Sequence, residues 1–191
     1  HATEMIARFL RRYPRIEINV MLGNSDGTLA RVLALEADVA ILAHVVDDPR
    51  VHTVPFSNHE VVVFVHRDHP WNGRESVGIG ELAGQPLILR ERGSTTRRAF
   101  EAATQTAGVR ITPLLEIGSR EGVWKAVERG LGIGVVADFE FVEHRNLKTV
   151  RIADAIVRTE YRLACLMERR NSPKIRAFID TVIASEPASA P

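Results

Sequence analysis

The chain has 191 residues, with 25 Lys and Arg against 24 Asp and Glu, a net charge of +1 and a pI near 8.2. That balance lacks the basic excess of a nucleic-acid-binding module, and 45% hydrophobic residues with 13 Gly and 9 Pro exclude a disordered or fibrous chain. A single cysteine, Cys165, excludes an internal disulfide and a cysteine-rich zinc site and points to a reducing compartment.

In chain order, Met5, Ile6, Phe9 and Leu10 share one face of a helix that ends before Pro14. Ile16, Ile18, Val20 and Leu22 alternate with other residues, a period-two strand, and Leu29, Val32 and Leu33 form a second helical stripe. Val39 to Ala43 is a short apolar run, expected of a strand buried on both faces of a parallel sheet. Val61–Val65 and Leu87–Leu89 read as further strands. A helix is expected from Thr96 to Ala107 and a strand from Ile111 to Ile117. A helix stripe follows at Val123, Trp124 and Val127, then strands at Ile133–Val136 and Tyr161–Met167. Ser172 and Pro173 signal the start of a last helix carrying Ile175, Phe178, Ile179, Val182 and Ile183. The tail, Glu186 to Pro191, is expected to fray.

Strands alternating with helices predict an α/β protein with mainly parallel sheets. The pattern strand, small polar turn, helix, strand occurs twice, which predicts two lobes. No apolar run approaches the ~18 residues of a membrane span, and no signal peptide pattern opens the chain. The first residue is His1, not Met, so the chain is read as a piece of a longer protein.

Four motifs invite a chemical reading. Gly23-Asn24-Ser25-Asp26-Gly27 matches the G-x-S-x-G pattern of a nucleophile elbow. Too few residues precede it for the strands and oxyanion loop of such a hydrolase, so a βα turn in which Ser25 or Asp26 caps the next helix is the better reading. Gly130-Leu131-Gly132-Ile133-Gly134 follows a helix and opens a strand, the reverse of a dinucleotide fingerprint. It is read as a helix C-cap and tight strand entry. His66 and His69 offer two metal ligands without an evident third, so no metal is expected. Glu91, Glu116 and Glu121 lack any fixed spacing that would make a general acid–base pair. No cofactor and no catalytic residue are assigned, and an enzyme is not expected.

Small polar residues also follow strand ends and open helices at Asn24-Ser25, at Ser94-Thr95-Thr96-Arg97 and at Gly118-Ser119-Arg120. In an open α/β sheet such junctions lie at the carboxyl ends of strands, where ligands bind. Each helix start offers free N–H groups and about half a positive charge. Arg97 and Arg120 would add charge-assisted hydrogen bonds to an anion.

In order and spacing, these segments resemble the effector-binding domain of LysR-type transcriptional regulators. The resemblance covers Phe9-Leu10-Arg11-Arg12-Tyr13-Pro14, Gly23-Asn24-Ser25, Ala37-Asp38-Val39-Ala40-Ile41 and Asp68-His69-Pro70. It continues over Gly93 to Arg97, Ala126 to Gly134 and Ile175 to Ile179. The stretches Arg90 to Arg97 and Ile117 to Glu121 look like regulators associated with 2-aminoethylphosphonate catabolism, and Gly-Ser-x-Thr-Arg also occurs in regulators of carbon fixation.

The resemblance implies two Rossmann-like lobes joined by two crossing strands, as in type 2 periplasmic binding proteins. Lobe I is expected at 1–85 with 163–191 and lobe II at 86–162, with an N-terminal winged helix-turn-helix and the first strand absent from this piece. It further implies a cytoplasmic bacterial regulator, a homodimer or homotetramer, contacting DNA only through the missing domain and no membrane. A small anionic metabolite would bind between the lobes and shift them toward a closed arrangement. Its contacts would be Asn24, Ser25, Ser94, Thr95, Thr96, Arg97, Gly118, Ser119 and Arg120, with Glu91 or Glu121 facing an ammonium group of a zwitterion. The alternatives are a solute-binding protein of a transporter, with the same fold, and a serine hydrolase using Ser25.

Overall fold

The helix expected around Met5 and Phe9 runs over Ala2–Arg12 as α1, with both side chains buried and Pro14 beyond its end. A computed structural model describes residues 2–44 and 46–184; the tail from Glu186 lies outside the described residues. After α1 come α2 (Ser25–Leu33), β1 (Ala40–Leu42), β2 (Val51–His66), β3 (Ser76–Val77), β4 (Leu87–Arg90) and α3 (Thr95–Thr106). Then follow β5 (Pro113–Ile117), α4 (Arg120–Glu128), β6 (Ile133–Ala137), β7 (Leu147–Ile152), β8 (Arg158–Leu166) and α5 (Pro173–Ile183). The short β3 and the strand β7 carry no signal that periodicity picked out.

The chain divides into two compact units, 1–58 with 160–191, and 59–159. The strands β2 and β8 each pass from one unit to the other. The border expected at residue 85 lies within the second of these units. Val61 to Phe64 pair with β6, and Val63 to His66 with β7, so the second half of β2 and the chain that follows it as far as Thr159 belong to the second unit.

In the first unit β1 pairs antiparallel with β8, Ala40 opposite Ala164 and Leu42 opposite Arg162. Because successive side chains point to opposite faces, Ala40, Leu42, Ala164 and Leu166 pack with Val32 of α2. Leu163 and Cys165 pack with Met5 of α1 and Ile175, Ile179 and Val182 of α5. Burial pushes the Cys165 thiol above its ordinary pKa, so it is an inert core residue. Phe9 and Phe178 meet edge to face at 5.2 Å. The segment from Ile16 to Leu22 forms no strand, and Leu22 is 91% exposed. Alternation supplies one apolar face, but a strand also needs a partner for its backbone N–H and C=O groups, and none pairs with it among the described residues.

In the second unit β4 lies parallel to β5 on one side and to β6 on the other, while β6 and β7 run antiparallel to β2. The sheets are therefore mixed rather than mainly parallel. Leu87 and Leu89 face one core with Phe100 of α3, and Ile88 faces the other with Val123 and Val127 of α4. Helices cover both faces, which is why these strands read as unbroken apolar runs. Gly130 has φ +73° and ends α4 in the left-handed conformation. A Cβ on Gly132 would lie 2.0 Å from the Pro86 carbonyl oxygen, and one on Gly134 would lie 2.3 Å from the Phe64 ring. These glycines serve backbone approach in the core.

His69 sits beside this core. Its Nδ1 accepts the Trp71 N–H at 3.1 Å and its ring meets the buried Trp71 ring edge-on at 5.3 Å. Burial lowers its pKa, so the folded chain binds the imidazole proton less well than the unfolded chain, which titrates near 6.5. The stabilisation is present above about pH 6.5 and is lost as pH falls through the lowered value. Urea unfolding followed by Trp emission should show a smaller drop in midpoint between pH 7.5 and 5.5 for His69→Gln than for the wild type; equal drops would rule this out.

Candidate functional site

The parallel pairing of β4 with β5 and β6 places the carboxyl ends of all three strands, at Arg90, Ile117 and Ala137, along one edge of the second unit. Each strand turns there into a helical segment: α3, α4 and a 3-10 turn over Asp138–Glu140. Such an edge is where open α/β sheets bind ligands. A small concavity lies at it, lined by Arg90, Thr96, Arg120, Val123, Trp124, Val135, Val136 and Glu140.

Ser94 is the N-cap residue of α3, buried, and its side chain makes no capping hydrogen bond. Thr95 and Thr96 form the first turn, and Thr96 lines the concavity. Arg97 is enclosed within the second unit. It is 5% exposed, and its guanidinium donates to Glu101 at 2.7 Å, to Glu116 at 2.6 Å and to the Arg90 carbonyl at 2.6 Å. Burial by itself would lower its pKa, but the bonds to Glu116 and Glu101 hold it above the ordinary value. Its charge is matched internally, so it ties α3 to β4 and β5.

Gly118 is exposed in the turn after β5. Ser119 caps α4, its Oγ accepting the Gly122 N–H at 3.1 Å. Arg120 begins α4, reaches the concavity, and pairs with Glu140 at 2.5 Å. The two carboxylates expected to face an ammonium group are both paired with basic side chains. Glu91 takes a two-point contact from Arg90 at 2.8 and 2.9 Å. Exposed Glu121 pairs with Lys125 at 2.7 Å, a hydrogen bond that lowers the Glu121 pKa.

In the first unit Asn24, rather than the expected Ser25 or Asp26, caps α2, its Oδ1 accepting the Gly27 N–H at 2.8 Å. Ser25 opens the helix, and its Oγ accepts the Ala43 N–H at 3.2 Å. A nucleophile elbow needs a strand before its turn, and no strand precedes Gly23 among the described residues. His66 and His69 stand among no group of three or more potential metal ligands in the described residues.

The structure thus brings Thr96 and Arg120 together and adds three residues that sequence reasoning passed over as site residues: Arg90, Glu140 and Trp124. Trp124 forms the floor with Val123, stacked on Phe141 at 5.0 Å and beside Phe64 at 5.4 Å. Helical spacing marked Trp124 as a core residue. Nothing local marks Glu140, whose position depends on β6 ending beside α4.

Comparisons with known proteins agree with this architecture. The family model described as "LysR substrate binding domain" matches residues 1–186. The HTH-type transcriptional regulator CbbR of Sinorhizobium medicae is 28% identical over 188 residues, covering 96% of this chain and 60% of its own length. CysL of Bacillus subtilis, also an HTH-type transcriptional regulator, is 29% identical over 133 residues, or 70% of this chain and 44% of its own. The chain therefore spans roughly half the length of these curated relatives. Among solved structures, the regulatory domain of Synechocystis CcmR in complex with 2-PG superposes with a TM-score of 0.88 at 25% identity, over 98% of this chain and 91% of that one. The effector binding domain of QuiR in complex with shikimate shares the fold, with a TM-score of 0.87 at 19% identity over 96% and 88% of the two chains.

Because Arg97 is bound within the protein, its replacement should act on stability. Arg97→Met removes charge-assisted bonds to Glu101, Glu116 and a backbone carbonyl, and the expected loss is about 1–3 kcal/mol in chemical denaturation. An unchanged unfolding midpoint would return Arg97 to the list of ligand contacts.

Proposed function

The chain belongs to the LysR substrate binding domain family, and from that premise we propose that it is the sensing domain of a transcriptional regulator that binds a small anionic metabolite. One observation carries the anionic part: Thr96, Arg90 and Arg120 converge on one concavity at the carboxyl edge of β4, β5 and β6. The first turns of α3 and α4 flank it, and their free N–H groups favour negative charge. Arg120 is the solvent-exposed cation of the set, with its side chain 54% exposed. Asn24 and Ser25 are retained as the first unit's candidate contacts. The relatives' names support the regulatory role, with DNA contacted through a helix-turn-helix outside this chain. On this reading the protein works in the cytoplasm. Among the described residues, no helix is long and apolar enough to cross a membrane.

We further propose association of copies along β5, which ends the order of paired strands and carries Leu114, 58% exposed, with Leu115 exposed beside it. An unpaired edge with apolar side chains is a ready partner for another chain.

A thermal-shift panel of sulfate, phosphate, phosphonates and small carboxylates should contain a stabiliser, worth about 2.7 kcal/mol at 100 times its dissociation constant. Arg120→Ala should weaken that ligand at least tenfold, and a panel without any stabiliser would refute the anionic assignment. In sedimentation, the wild type should run as an oligomer and Leu114→Glu should shift it toward monomer; a monomeric wild type at high micromolar concentration rejects the β5 contact.

A further inference from the structure

The concavity presents its positive charges already matched. Arg90 is held by Glu91 in a two-point contact, both side chains mostly buried, and Arg120 by Glu140 through one short bond. The second pair is unequal: the Arg120 side chain is 54% exposed and that of Glu140 only 11%. A long, solvated side chain held at one point can turn toward a ligand; a carboxylate enclosed to that degree stays in place. Below them, Val123, Trp124, Val135 and Val136 give an apolar floor.

From this arrangement we infer that the ligand carries a hydrogen-bond donor, ammonium or hydroxyl, a short carbon chain away from its anionic group, and that Glu140 selects for it. The inference rests on the proposed docking of an anion at Arg120. An anion that engages Arg120 comes close to the Glu140 carboxylate, since the two side chains touch. Like charges at such range repel, and enclosure weakens the screening that would relieve them. A simple oxyanion such as sulfate therefore competes with Glu140 for one guanidinium and gains nothing from the apolar floor. A ligand with a donor beside its anionic group gives that donor to Glu140 and its anionic oxygens to Arg120 and Thr96. Its carbon chain then covers Val123 and Trp124. Recognition of this kind discriminates strongly, because a site built to accept a donor rejects the analogue that lacks it.

The test is a matched series: sulfate, then carboxylates and phosphonates whose two-carbon chain ends in a methyl, hydroxyl or ammonium group. Each is titrated into the wild type and into Glu140→Gln, with Trp emission and melting temperature as readouts. Trp124 and Trp71 are the two tryptophans of the chain, and Trp124 lines the concavity, so occupancy alters its surroundings directly. For at least one head group, a donor-ended member should bind the wild type at least tenfold more tightly than its methyl-ended partner, and sulfate should bind weakly. An ammonium preference should fall to threefold or less in Glu140→Gln, where the charge is gone. A hydroxyl preference should survive there in part, because the glutamine carbonyl still accepts a hydrogen bond; this separates the two donors. Anions that bind without regard to the donor overturn the inference and leave the anionic reading standing. A donor preference that is the same in both proteins removes Glu140 as its source and also overturns it. If no member of the series binds, the anionic reading falls, and this inference with it.

Discussion

The parallel pairing of β4 with β5 and β6 is the constraint on which the candidate site depends. Parallel neighbours point their carboxyl ends the same way, so the turns after all three strands meet along one edge. Those turns open α3, α4 and the short turn at Asp138–Glu140. Thr96, Arg120 and Glu140 are far apart in sequence, and this pairing makes them neighbours around one concavity. An antiparallel β5 would send Arg120 to the opposite edge. Burial of the strands on both faces holds the pairing in place, with Leu87 and Leu89 toward α3 and Ile88 toward α4.

Charge in the second unit divides into a structural and a responsive part. Arg97 is enclosed and bonded on three sides, so withdrawing it would leave acceptors without their donor. Arg120 is held by one carboxylate and is open to solvent, an exchange that costs far less. Two arginines that look alike at helix starts therefore have different capacities. Enclosure separates them, and enclosure is a property of what packs around a residue.

The first unit shows the same dependence on partners. The segment from Ile16 to Leu22 has the alternation of a strand, as regular as that of β8, yet it has no strand structure and Leu22 is open to solvent. Alternation states which face a strand would bury. Forming the strand requires a second backbone alongside it, and that information lies outside the segment. The strand β7 is the converse case: a weak pattern, Leu147–Ile152, becomes a strand because β2 and β3 flank it.

By itself, the sequence determined the elements whose signals are local. These are the helices, the buried strands β1, β4 and β6, the left-handed turn at Gly130, and an ordered set of motifs specific to one family. Helical period, capping chemistry and steric freedom act within a few residues, so they can be read from a few residues. Tertiary structure alone decided that the second unit begins at His59, that Arg97 is an internal tie, and that Glu140 stands beside Arg120 over a floor built on Trp124. Each of these depends on which strands pair and in which direction, and that choice is made by the burial of many side chains together, far from the residues whose roles it settles.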